Sequence, residues 1–174
     1  MEAKNTVKNN DIVVQEEIVS SIDNWTYTFN VPKYDEFANE ITYTVEDEIV
    51  LNAFNYLKQS CQDAKLLLVP RHPQRYDEVS ELLNNSGYKW GKRSKNDNFI
   101  ENDIILLDTM GELAKLFSIC HIAFIGGSFS TTGGHNPLEA NIWAKPVISG
   151  PCTFNFKDVY RTVTEKKCAI IVKD

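Results

Sequence analysis

The feature that most limits the fold is a regular alternation, over residues 65–172, of short unbroken apolar runs with helix-patterned segments. Runs at 65–69, 103–107, 121–125, 146–149 and 169–172 are nearly continuous in hydrophobic character, and 88–93 adds a weaker strand. A strand with one wet face alternates polar and apolar residues, so continuous runs predict strands covered on both sides. The segments around them carry helical spacing: 45–59 (stripe Ile49, Leu51, Ala53, Phe54, Leu57), 76–85 (Val79, Leu82 and Leu83 inward), 111–119, 136–144 and 156–162. Gly87 stands just past the second of these, where a helix stops readily. Strand–helix–strand units of this length require parallel pairing with right-handed crossovers. The predicted architecture is α/β: a doubly wound, mostly parallel, Rossmann-like sheet. Such a sheet ordinarily covers its last strand with another helix, so a domain clipped near Asp174 is expected.

The 174 residues fit one domain. Residues 1–40 read as a polar lead-in with a weak edge strand at 25–31, and 41–174 as the domain proper. A net charge of -6 argues against a nucleic-acid partner. Arg71, His72 and Arg75 nevertheless lie close enough together to leave room for a local basic patch. No apolar run approaches bilayer length and no signal-peptide pattern opens the chain, which predicts a cytoplasmic location. Cys61, Cys120, Cys152 and Cys168 are scattered without CxxC spacing and are expected to be free thiols. Neither they nor the three histidines have zinc-ligand spacing, and no Asp-x-Asp pair supports a divalent metal. No metal and no cofactor are expected.

In doubly wound folds ligands bind beyond the carboxyl ends of the strands. There the sequence places Gly126, Gly127 and Ser128 at the head of a loop carrying four glycines and four hydroxyl residues over 126–134. Pro137 follows near a helix start, and strand, glycine loop and helix N-terminus together suit a phosphate. The loop is neither a P-loop nor a GxGxxG fingerprint. Arg71, after a buried strand and with Pro70 directing the backbone, reads as a phosphate grip, or else as a surface arginine paired with a helix acid. Arg75 is expected to be solvent-exposed. His72 and His135 suit acid–base work near neutral pH, or support of a loop by hydrogen bonding; His121 reads as structural. Asn136 and Glu139 share a helix face. A carboxylate there suits the vicinal hydroxyls of a ribose, with dipole stabilisation of a first-turn acid as the plainer account. Asp108 or Thr109 as N-cap with Glu112 would form a capping box, while Met110 and Gly111 offer a surface for a flat base.

Five ordered motifs then identify a resemblance: Val-Pro-Arg-His-Pro-Gln-Arg (69–75), Asp-Thr-Met-Gly-Glu-Leu (108–113), Phe-Ile-Gly-Gly-Ser (124–128), Gly-Gly-His-Asn-Pro-Leu-Glu (133–139) and Gly-Pro-Cys-Thr-Phe-Asn-Phe (150–156). Over about residues 46–174 the chain resembles the C-terminal half of 3-deoxy-D-manno-octulosonic acid (Kdo) transferases. These are GT-B glycosyltransferases that add Kdo to lipid A precursors in lipopolysaccharide biosynthesis. The resemblance implies a donor site for CMP-Kdo or CMP. Arg71 and Pro70 would contact the phosphate, and Met110, Gly111 and Glu112 would line the nucleotide. Asn136, Pro137, Leu138 and Glu139 would hold CMP, with Glu139 on the ribose. Gly126, Gly127 and Ser128 would approach the phosphate or the sugar carboxylate. It also implies a partner absent from this sequence: the N-terminal GT-B domain, with its membrane anchor, acceptor site and general base. The full enzyme would then work at the cytoplasmic face of the inner membrane, and the isolated chain is expected to be inactive. A Ser-Thr-His-Glu-Gly-Glu-like loop of the family is replaced here by Ile-Thr-Tyr-Thr-Val-Glu (41–46). The rival readings are a GT-B donor domain for another nucleotide sugar, such as a UDP-linked one, and a degenerate non-catalytic binding domain.

Overall fold

Helix α1 (Thr42–Ser60) contains no glycine or proline to interrupt it, and it buries Leu51 and Phe54 one turn apart. It starts before residue 45, the expected boundary, so the stretch replacing the family loop is already helical from Thr42. The structure is a computed structural model and describes residues 42–173, with side chains from Glu46 onward. The lead-in at 1–40 and the weak strand at 25–31 lie outside the described residues.

Among the described residues, the five continuous apolar runs and the weaker strand at 88–93 become six short parallel strands in two hydrogen-bonded sheets. In the first, β1 (Leu66–Leu68), β2 (Trp90–Lys92) and β3 (Ile104–Leu106) stand in the order β1-β3-β2, with Leu66 and Trp90 both opposite Ile104. In the second, β4 (Ala123–Ile125), β5 (Val147–Ser149) and β6 (Ala169–Ile171) run in sequence order, with Ala123 and Ala169 both opposite Val147. Each sheet has its own core. Helix α2 (Tyr76–Asn84) sets Val79 and Leu83 against Leu68, Ile104 and Leu106, with Leu51 and Phe54 of α1 joining them. Helix α5 (Lys157–Glu165) sets Tyr160 and Val163 against Ile125, Val147 and Ala169, with Phe117 and Ala140 alongside. Gly87 turns the chain after α2 with φ +78.

Two predicted helices are much shorter than their apolar spacing suggested. The 111–119 segment is α3 (Leu113–Leu116), tightening into a 3-10 turn at Phe117–Ile119. The 136–144 segment is α4 (Leu138–Asn141), followed by a turn in which Ala144 adopts φ +54. Asn141 closes that end by donating from Nδ2 to the carbonyls of Lys145 (2.9 Å) and Cys168 (3.1 Å). No helix among the described residues is long and apolar enough to cross a membrane. All four cysteines are free thiols.

Candidate functional site

The carboxyl ends of β1, β4 and β5 open onto a cleft of about 410 Å³ lined by Arg71, His72, Thr132, Gly134, His135, Asn155 and Phe156. The wall contributed by β4 is the glycine loop, and it folds back on itself. The Gly134 N–H donates to the Gly127 carbonyl at 2.7 Å, and Gly127, Gly133 and Gly134 all take positive φ. The β5 loop ties in behind it. Ser128, fully buried, donates from Oγ to the Ile125 carbonyl (2.9 Å) and accepts the Gly150 N–H (2.8 Å), while its carbonyl accepts the Cys152 N–H (2.8 Å). Asn155 donates to the Thr132 carbonyl from Nδ2 at 2.6 Å and to the Gly133 carbonyl from its N–H at 3.0 Å. At Gly133, close approach as well as positive φ demands glycine, since a Cβ would sit 2.6 Å from the Phe154 ring.

Across the cleft, Pro70 is buried and Arg71 exposed at the end of β1. The Arg71 guanidinium donates to Nδ1 of His135, 64 residues further along the chain. An accepting Nδ1 places the ring proton of the neutral imidazole on Nε2. Tyr160, beneath the loop, donates from its hydroxyl to the His135 carbonyl at 3.2 Å and lies 3.0 Å from Ser149 Oγ. Burial, the Arg71 charge and the nearby His72 push the His135 imidazole below its ordinary value of 6.5, against an opposing pull from Glu46. Because the folded-state value is depressed, the unfolded chain binds the proton more readily, and stability is lost as pH falls below 6.5. Acidification from about pH 7.5 to about 5.5 is therefore expected to lower the melting temperature of the native chain more than that of His135→Asn. Parallel thermal melts check this, and equal losses would contradict it.

The other predicted site residues are not among those that line this cleft. Met110 is 74% exposed, with its sulfur 3.8 Å from the Tyr76 hydroxyl, and Gly111 has φ +83 with open space where a Cβ would be. Asn136 accepts the Leu138 N–H at 3.1 Å, Pro137 is buried, and Leu138 and Glu139 face solvent at the start of α4. The expected capping box does not form. Asp108 instead accepts the N–H (2.8 Å) and hydroxyl (2.6 Å) of Ser94, and Glu112 pairs with Arg93 at 2.7 Å. The 3-10 turn Arg93–Lys95 after β2 presents these donors to the 108–112 loop, a tertiary neighbour that competes with local capping. Burial pushes the Asp108 carboxyl up, but the two Ser94 bonds, its own backbone N–H and the Lys92 charge together outweigh it and hold the group below its ordinary value.

Arg75 is not solvent-exposed as expected. Its side chain is 14% accessible and forms an ion pair with Asp47 of α1. Burial outweighs that pairing and moves the Asp47 carboxyl above its ordinary value. The neighbouring Glu46 accepts three backbone N–H bonds, from Gly127 (2.6 Å), Ser128 (2.8 Å) and Phe129 (2.7 Å). Glu46 ends the stretch 41–46 that stands where the family has a Ser-Thr-His-Glu-Gly-Glu-like loop, itself ending in glutamate, but the sequence reading gives Glu46 no role at the site. Asn155 and Phe156 lay within a quoted motif but had no assigned role.

Parallel βα units that gather their loops over a basic cleft define a Rossmann-like α/β domain. Comparison with known proteins makes the class narrower. The 3-deoxy-D-manno-octulosonic acid transferase of Haemophilus influenzae is 44% identical over 125 residues, which is 71% of this chain and 29% of that protein. The transferase of Aquifex aeolicus is 35% identical over 132 residues, covering 76% of this chain and 36% of that protein. A bifunctional glycosyltransferase/methyltransferase of Fusobacterium nucleatum is 35% identical over 178 residues, covering 91% of this chain and 27% of that protein. Among solved structures, the C-terminal CMP-Kdo binding domain of WaaA from Acinetobacter baumannii superposes with a TM-score of 0.71 at 31% identity. That match covers 76% of this chain and 70% of the solved one. A family model for the Cna protein B-type domain matches residues 4–65; its overlap with the described residues is α1 and the turn after it. This chain belongs to the Kdo transferase family and corresponds to its C-terminal domain. It spans 29% and 36% of the length of these two transferases.

Proposed function

We propose that this chain is the donor-binding domain of a Kdo transferase and that it holds CMP-Kdo, or the product CMP, in the cleft beside Arg71. The observation that carries the reading is the convergence of Arg71, at the end of β1, with His135 of the glycine loop at one side of a 410 Å³ cleft. A guanidinium supplies the planar donor pair that a phosphate accepts best. A neutral imidazole beside it leaves that charge unopposed and becomes easier to protonate when an anion arrives. Met110, Gly111 and Glu112 would line the nucleotide. Asn136, Pro137, Leu138 and Glu139 would take its ribose side, where the exposed carboxylate of Glu139 suits vicinal hydroxyls.

In the longer transferase, an acceptor hydroxyl on a lipid A precursor would attack the anomeric carbon of Kdo. The bond from that carbon to the phosphate oxygen breaks, and CMP leaves with the electron pair. Arg71 would stabilise the charge gathering on the leaving phosphate, and the locked loop would hold the donor in line. In this reading an arginine rather than a metal meets that charge. The base that accepts the proton of the acceptor would come from the N-terminal GT-B domain, so this chain binds without turning over. The proposed setting is the cytoplasm, with the full enzyme at the cytoplasmic face of the inner membrane and no nucleic-acid partner.

Titration calorimetry with CMP, UMP and UDP tests the reading. CMP is expected to bind and to be preferred. A clear preference for UMP or UDP would overturn it, and transfer of Kdo to a lipid A precursor by this chain alone would overturn the division of labour.

A further inference from the structure

Three successive N–H groups of the glycine loop converge on one point, and a carboxylate of the protein's own occupies it. Gly127 donates to one oxygen of Glu46 at 2.6 Å, and Ser128 and Phe129 donate to the other at 2.8 and 2.7 Å. Glu46 is 9% exposed. Gly126 lacks the Cβ that would come within 3.0 Å of its Oε2. Consecutive backbone N–H groups of this kind form an anion nest, the device by which many folds bind a phosphate. Here the nest is filled from within. The nest also adjoins the cleft, because a Cβ on Gly127 would lie 3.1 Å from His135 Nε2, and Arg71 binds the same imidazole. An anion held by Arg71 and His135 therefore has the Glu46 carboxylate as its neighbour behind a single residue of backbone.

We infer that Glu46 is a specificity-determining residue: it fills the nest with a fixed negative charge and restricts the cleft to nucleotides with one phosphate, rejecting nucleoside diphosphates and their sugar conjugates. The inference rests on the nucleotide-binding reading above. A second phosphate would reach the nest only by displacing Glu46 from three charge-assisted hydrogen bonds, or would sit beside it with like charges opposed. A residue serving only to brace the loop would weaken both kinds of nucleotide alike. A residue that selects changes their ratio.

The test uses the full 174-residue chain, its E46Q and E46A variants, and calorimetry with CMP, CDP and inorganic pyrophosphate. The native chain is expected to prefer CMP over CDP by about tenfold or more. E46Q, similar in shape but uncharged, is expected to cut that preference to about threefold or less, and E46A to bind pyrophosphate about tenfold more tightly than the native chain. CDP binding as tightly as CMP to the native chain, or an unchanged ratio in E46Q, would overturn the inference. Should E46A fail to fold, the E46Q ratio decides. Should the native chain bind neither nucleotide, the nucleotide reading fails. The nest is then judged separately, by whether either variant gains pyrophosphate affinity, and no gain refutes it.

Discussion

Replacing Arg71 with alanine is expected to weaken CMP binding by about 10- to 100-fold, the value of a charge-assisted hydrogen-bonded contact of about 1.5–3 kcal/mol. Arg71 is exposed at the end of β1, so its removal takes little from the core, and the folding free energy is expected to shift by no more than about 0.5 kcal/mol. Calorimetry with CMP beside a thermal melt separates the two effects. Arg71→Lys keeps the charge but loses the planar fork, and should recover only part of the affinity. Full affinity in Arg71→Ala would mean that the phosphate is held elsewhere, and the convergence with His135 would lose its functional meaning.

Gly150→Ala is expected to be the more damaging change to the fold. Its new Cβ would lie 2.6 Å from the Ser128 carbonyl oxygen and 2.8 Å from the carbonyl carbon, which are backbone atoms with no rotamer to escape into. Ser128 itself is fully buried and tied to Ile125, Gly150 and Cys152, so one side of the β4–β5 seam must move. Overpacking of this kind costs about 3 kcal/mol, or a fall of roughly 6–12 °C in melting temperature for a domain of this size. The same displacement would shift the glycine loop and His135 with it, so CMP affinity should fall alongside stability. A variant that melts like the native chain would show that the seam is looser than these contacts indicate.

The strands were legible because a strand covered on both faces announces itself as a continuous apolar run, as at Ile104–Leu106, where all three residues are buried. Helix α2 was legible for a related reason, since Val79 and Leu83 repeat with helical spacing. The short helices α3 and α4 were overestimated because spacing alone does not say where a turn tightens. Ser118 bonding back to the Lys115 carbonyl at 2.6 Å, and Asn141 reaching the carbonyls of Lys145 and Cys168, decide those ends. The capping box failed for the same kind of reason. Ser94, fourteen residues away, offered Asp108 better donors than its own helix did.

At the site, residue types and order marked which loops matter. Glycines where the backbone turns with positive φ, an arginine after a buried strand, and the helix start at Pro137 are local properties that a sequence displays directly. What fills the seat those glycines make is not local. Glu46 reaches the loop across 81 residues, and its neighbour Asp47 takes Arg75, which sequence alone left in solvent. The amino-acid sequence by itself determined a parallel α/β domain with a glycine loop at the carboxyl ends of its strands, because burial and backbone freedom are written residue by residue. Only the tertiary structure decided that a buried carboxylate from α1 occupies the nest of that loop while Arg71 and His135 face the cleft. Which anion a donor nest receives depends on what the rest of the chain brings within 3 Å of it.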